Sequence, residues 1–169
     1  MTGESAMGEW DKDGGPVEIL ILGLDREIVA IEASIVREIV DVLPITDVPN
    51  ADSFVRGLIN VRGRVAPLAD LRIRLGMGVS PVSIDTRIIV VDIDIQGEPT
   101  TIGLLADRVY EVGQLTPAAL TETPRIGMHW RPDFVRGIGK RGHDFMIVLD
   151  IDRILNVVDT DGPPHQAAE

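Results

Sequence analysis

Apolar, largely β-branched residues recur along the chain in ten short runs of five to nine positions, each bounded by Gly, Pro, Asn, Asp or Ser. The runs are Val17 to Leu24, Glu27 to Ile31, Ile39 to Leu43, Gly57 to Val61, Arg64 to Leu68, Arg87 to Ile95, Thr100 to Ala106, Val109 to Leu115, Arg136 to Lys140 and Asp144 to Leu149. Such runs between turn signals predict strands, so the expected fold is mainly β. Helical periodicity is confined to Glu32 to Arg37, Asp70 to Leu75 before Gly76, and Ile151 to Val157. Each is about two turns, enough for a plug or connection but not for a covering layer.

The pattern is also duplicated. Phe54-Val55-Arg56-Gly57 returns as Phe134-Val135-Arg136-Gly137 at an offset of 80, Arg62-Gly63 as Arg141-Gly142 at 79, and Asp70-Leu71 as Asp150-Ile151 at 80. Val36-Arg37-Glu38-Ile39 has a looser counterpart in Val109-Tyr110-Glu111-Val112. Three ordered matches at nearly one offset imply two copies of a five-stranded unit, with the boundary in the Gly-, Pro- and Ser-rich stretch 76–86. The expected organisation is a tail at 1–16, a first unit at 17–85, a second at 86–158 and a tail at 159–169. A sheet of five short strands hides one face and its edges by closing into a barrel. Two such barrels are each marginal in size and are expected to share an apolar seam, with exchange of an end strand as one route to it. The rim of that seam leaves a groove suited to a partner.

Composition narrows the function. The 169 residues are 44% hydrophobic, enough to fill these cores, and carry 27 Asp and Glu against 16 Lys and Arg, a net charge of −11. The tails hold −3 each, leaving −5 on the body. This balance disfavours nucleic acid and anionic membrane as partners. The absence of cysteine removes disulfides, thiolate metal sites and thiol nucleophiles and fits a reducing cytoplasm. Residues 1–16 lack the apolar core of a signal peptide, and no run reaches 18 apolar residues, so neither export by that route nor a membrane span is expected.

Catalytic chemistry is sparse. His129, His143 and His165 lack metal-binding spacing, and no phosphate loop, dinucleotide fingerprint or nucleophile elbow occurs. Asp92 and Asp94 alternate on one strand face, an arrangement able to bind a divalent cation but more simply a wet face. The glycines follow arginines, at Arg56-Gly57, Arg62-Gly63, Arg136-Gly137 and Arg141-Gly142, where Gly supplies a tight turn or bulge and turns the arginine out of the sheet. Residues 51–74 form a basic strip of +3, readable as a solvated face or as an interface, with Arg62 able to pair with Glu38.

Val36-Arg37-Glu38-Ile39, the Pro49 turn, and the run Phe54-Val55-Arg56-Gly57-Leu58-Ile59-Asn60-Val61-Arg62-Gly63 through Pro67-Leu68-Ala69-Asp70-Leu71-Arg72 closely resemble the signature of the CheW-like chemotaxis coupling proteins. The likeness extends through Arg87 to Val91, Gly103 to Val109, Val135 to Gly137 and Leu149 to Ile151, covering essentially 17–158. Val61 and Ala66 depart from the more usual larger residues but remain apolar.

The resemblance implies two SH3-like five-stranded barrels and a non-catalytic, cytoplasmic adaptor without a cofactor, monomeric in isolation. It implies two partners: the cytoplasmic tip of methyl-accepting chemoreceptors and the regulatory domain of the histidine kinase CheA, assembled into membrane-associated arrays. Val36, Glu38, Gly57, Asn60 and Arg62 match the receptor-facing positions, with Glu38 and Arg62 as the charged pair on which coupling depends. Ile39, Val40 and the second-barrel edge at Leu104, Val109 and Val112 are expected to face the kinase. The alternatives are an isolated regulatory domain of a CheA-type kinase, which has the same fold, and a metal hydrolase built on Asp92 and Asp94.

Overall fold

A computed structural model describes residues 15–122 and 131–156; the expected tails lie almost wholly outside these residues, as do His129 and His165. Ten strands and two short helices follow in the order β1 (Val17–Leu24), β2 (Glu27–Glu32), β3 (Val36–Asp41), β4 (Val55–Val61), β5 (Arg64–Ala69), α1 (Leu71–Arg74), β6 (Arg87–Ile95), β7 (Glu98–Ala106), β8 (Arg108–Leu115), β9 (Val135–Arg141), β10 (Asp144–Leu149) and α2 (Ile151–Asn156). Every predicted strand is present. The helix expected over Glu32 to Arg37 is instead a single 3-10 turn, Ala33–Ile35. Strand β3 starts at Val36 and ends at Asp41, earlier than the expected run to Leu43, because Val36 already pairs with Val91 and Asp41 with Arg87 of β6. Sheet pairing with β-branched neighbours overrides a two-turn helical pattern.

The strands form two five-stranded sheets, ordered β8-β1-β2-β10-β9 and β3-β6-β7-β5-β4. The sequence repeats and the sheets therefore do not coincide. The first repeat supplies β1 to β5 and the second β6 to β10, but each places its leading hairpin in the other's sheet. Hairpin β1–β2 completes the sheet of β8, β9 and β10, and hairpin β6–β7 completes that of β3, β4 and β5. A cut at 85/86 thus separates the sequence copies without separating the sheets, and a whole hairpin is exchanged where an end strand was expected.

The exchange follows from burial. Strand β1 is apolar on both faces: Val17, Ile19 and Ile21 enter one barrel core with Leu115, Met146 and Val148, while Leu20, Leu22 and Leu24 enter the seam. Strand β6 repeats this, with Ile88 and Val90 in the other barrel core and Ile89, Val91 and Ile93 in the seam. A hairpin of this kind needs apolar cover on two sides, which one small barrel does not provide. The seam draws 19 buried residues from both sheets, whereas each barrel core holds seven. Ala66, the small residue of the first-repeat signature, is 1% exposed in its barrel core.

Among the described residues one bridge ties edge strand β4 to the segment that follows β3, and one ties β9 to the segment that follows β8. Thr46 exchanges both backbone hydrogen bonds with Leu58, and Thr121 does the same with Ile138. These crossings sit beside Gly57 and Gly137, where the β4–β5 and β9–β10 ladders shift register around Arg56 and Arg136. Arg56-Gly57 and Arg136-Gly137 are therefore bulges, one of the two roles the sequence predicts for such pairs. Gly57 is indispensable for a second reason: a Cβ there would overlap the carbonyl oxygen of Thr46.

Candidate docking surface

The hairpin β4–β5 turns on Arg62 and Gly63, whose φ values of 53° and 85° are those of the two-residue turn that matches strand twist. Asn60 fixes the turn by accepting a hydrogen bond from the Gly63 amide at 2.8 Å. This geometry carries Arg62 across the open edge to β3, where its Nε donates to both carboxylate oxygens of Glu38 at 3.0 and 3.1 Å. The Glu38 side chain is 19% exposed, and that of Arg62 is 79% exposed. Val36 lies half-buried against the seam and Gly57 is buried at the bulge. Val36, Glu38, Gly57, Asn60 and Arg62 thus come from two edge strands, with the Glu38–Arg62 pair spanning the gap between them.

On the same strand Ile39 is 40% exposed, while Val40 is half-buried on the barrel core. Of the second-barrel positions, Val112 is 59% exposed on β8, an edge strand, and Val109 is half-buried on the seam. Leu104 must be withdrawn as a kinase contact. It is 1% exposed, packed in the seam, and β7 is an interior strand between β6 and β5. The run Ile102 to Ala106 is apolar because both faces are covered, not because one is a docking edge.

The repeat adds residues that the site prediction missed. Arg141 donates from Nε to Glu111 at 3.2 Å and lies 4.8 Å from the centroid of the Tyr110 ring. This pair links edge strands β8 and β9 as Glu38 and Arg62 link β3 and β4. Tyr110 occupies the bulge of β8 that Arg37 occupies in β3. Phe145, 65% exposed, corresponds to Val65, 69% exposed. The signal was in the sequence: applying the offsets that relate the two copies to Glu38 and Arg62 points to Glu111 and Arg141.

Much of the basic strip is engaged within the fold. Asp70 caps α1, accepts from the Arg72 backbone amide and Nε on one oxygen at 3.0 and 2.9 Å, and accepts from Arg72 Nη2 and Arg56 Nη1 on the other, both at 2.9 Å. Arg72, 2% exposed, also donates to Asp107 at 2.7 Å and to the Ser80 carbonyl at 3.2 Å. Burial opposes the charge on Asp70, but hydrogen bonds and charge from Arg72, with help from Arg56, outweigh it and hold the carboxyl below the usual carboxylate range. The bond to Asp70 likewise raises Arg72 against the effect of its own burial.

Asp92 accepts from Arg37 Nε and Thr101 Oγ1, both at 2.7 Å, which engages each of its oxygens within the fold. Among the described residues no group of three or more His, Asp or Glu side chains is arranged to hold a metal ion, and His143 is exposed in the β9–β10 turn. No described helix is long and apolar enough to cross a membrane.

Comparison with known proteins matches residues 18–159 to the family model described as the CheW-like domain. The chain is 27% identical over 139 residues to the chemotaxis protein CheW of Klebsiella aerogenes, covering 82% of this chain and 81% of that one. It is 28% identical over 141 residues to CheW of Thermotoga maritima, covering 83% and 89%. A crystal structure of the scaffolding protein TtCheW from Thermoanaerobacter tengcongensis superposes with a TM-score of 0.73 at 31% identity, covering 85% of this chain and 90% of that one.

Proposed function

Because the chain belongs to the CheW-like family, we propose that it is a non-catalytic chemotaxis adaptor that joins chemoreceptors to the histidine kinase CheA. The observation that carries the reading is the Glu38–Arg62 pair. Its bonds bring stability of only about 0–1 kcal/mol at such exposure, so its construction from a positive-φ turn and an edge strand serves recognition better than folding. An exposed arginine held in a fixed direction by Glu38 suits an interface anchor.

The receptor tip, a helical hairpin, engages the first-barrel corner formed by Val36, Glu38, Gly57, Asn60 and Arg62, with apolar residues as anchors and Arg62 at the polar margin. The kinase regulatory domain engages Ile39 and Val40 together with Val109 and Val112. Contacts of modest area suffice, since simultaneous hold on receptor and kinase raises effective concentration. The protein acts in the cytoplasm at receptor arrays and needs no cofactor.

Purified kinase and receptor signalling fragments, mixed with and without the protein, test this through kinase autophosphorylation. Receptor-dependent stimulation that appears only with the protein supports the reading. Stimulation of equal size without it refutes the reading.

A further inference from the structure

The strand pairings divide cleanly between the repeats. Those made within a repeat are hairpins, β1–β2 and β4–β5 in the first, β6–β7 and β9–β10 in the second. The pairings that knit the sheets together, β1 with β8, β2 with β10, β3 with β6 and β5 with β7, all run from one repeat to the other. The ion pairs Arg37–Asp92, Arg72–Asp107 and Arg136–Glu32 cross between repeats as well. Each repeat is therefore the other's missing half, and none of these contacts requires both halves to belong to one chain.

The repeats are joined by the stretch from Gly78 to Asp85, between Met77, which packs on the seam, and Thr86, which is buried. It carries neither helix nor strand, and its apolar side chains Val79, Val82 and Ile84 are exposed. Its hold on the body is light. The Ser80 carbonyl accepts from Arg72 at 3.2 Å, and Asp85 pairs with Arg108 at 2.9 Å between two half-exposed side chains. Fully extended, residues 78–85 reach about 26–29 Å, enough to lead the second repeat away from its own first repeat and onto that of a neighbouring copy.

We infer that two copies of this chain exchange repeats about residues 78–85 and close into an intertwined dimer of two complete double-barrel bodies. Every native strand pairing is kept, so the balance between the two forms rests on the linker, which holds the repeats of one chain at an effective concentration of about 1 mM. Dilute chain is therefore monomeric, and exchange appears when folding takes place near or above that concentration. Glu38 and Arg62 belong to one repeat and Glu111 and Arg141 to the other, so both corner pairs survive and the dimer presents each of them twice.

The chain has no cysteine, so a pair placed across β1 and β8 reports the exchange directly. Glu18 and Gln114 are exposed partners in that pairing, come from different repeats, and lie at a separation that a disulfide spans. The full-length Glu18→Cys/Gln114→Cys chain is refolded from urea at about 1 mM and about a thousandfold below it, and both samples are oxidised after dilution to one low concentration. The dilute sample should give a monomer with its disulfide within the chain. The concentrated sample should give roughly tenfold more dimer or greater, its two chains joined by disulfides on a non-reducing gel. A concentrated sample that stays monomeric, or a dimer whose disulfides remain within each chain, would overturn the inference.

Complementation tests it without high concentration. Leu20→Asp/Leu22→Asp spoils the first repeat and Ile89→Asp/Val91→Asp the second, so neither full-length variant should fold alone. Mixed in urea and diluted together, the two should recover a cooperative melting transition in a species of dimer mass, built from the sound repeat of each. A mixture that stays unfolded would equally overturn the inference. No receptor or kinase enters either measurement, so the adaptor reading stands or falls separately.

Discussion

Arg141 bonds to Glu111 across the open edge of the second barrel, as Arg62 bonds to Glu38 across the first. Two copies of one closure, both solvent-facing, are too weak energetically to be explained by stability. They mark equivalent corners of two barrels that differ in their surroundings: Arg37 stands at the bulge of one and Tyr110 at that of the other.

Arg62→Ala and Glu38→Lys should therefore leave the melting temperature within a few degrees of the parent, a change of about 1 kcal/mol or less, while receptor-dependent kinase stimulation drops severalfold. Calorimetry and the reconstituted phosphorylation assay measure the two separately. Full stimulation by both variants would remove the first-barrel corner from the coupling surface.

Gly57→Ala should be far more costly than its size suggests. The added methyl meets the Thr46 carbonyl that accepts from the Leu58 amide, so either the Thr46–Leu58 bridge opens or the bulge moves. A loss of about 2–3 kcal/mol is expected by thermal or urea unfolding. Gly63→Ala, where nothing lies within reach of the new carbon, meets only the backbone cost of a positive φ and should lose about 1 kcal/mol.

Acid should expose the opposed settings of two aspartates. Asp70 is held below the ordinary range, so its contribution is present above about pH 4 and is lost as pH falls through its lowered value. Asp70→Asn should cost about 3 kcal/mol at neutral pH, since Arg72 stays buried with Asp107 as its remaining carboxylate. Asp152 lies on the other side of the sign: burial and the charges of Asp150 and Asp94 raise its carboxyl, which is a burden once ionised and none when protonated. Asp152→Asn should therefore raise the melting temperature at pH 7 and give no advantage below about pH 4. Melting curves of both variants from pH 3 to 7 check these slopes.

Fragments split at 85/86 should each fail to fold alone and recover the native fold when mixed. Hairpin β1–β2 leaves its own repeat with Ile19, Leu20, Ile21, Leu22 and Leu24 buried elsewhere. At roughly 1.5–3 kcal/mol each, these five side chains match the whole stability of a typical domain. Circular dichroism of the separate and combined pieces decides it, and a cooperatively folded single fragment would contradict the exchange.

The strands were legible because β-branched apolar runs and the turn residues that bound them are local properties. Partner choice was not. In β1 and β6 both faces are apolar, so the pattern says that two neighbours exist without saying which. Leu104 was misassigned for the same reason, its run being covered twice. Arg72 read as part of an exposed basic strip because charge alone does not reveal that Asp70 and Asp107 accompany it inward. Glu38 and Arg62, by contrast, were joined correctly from sequence and resemblance.

The traded hairpins also govern the order of events during synthesis. The sheet of β3 to β7 has all its strands once Ala106 has been made, but β1 and β2, translated first, must wait for β8 to β10 before their leucines and isoleucines are covered. A nascent chain of this kind carries an oily, unpaired ribbon until its last strand leaves the ribosome, which makes the hairpin a natural client for chaperones.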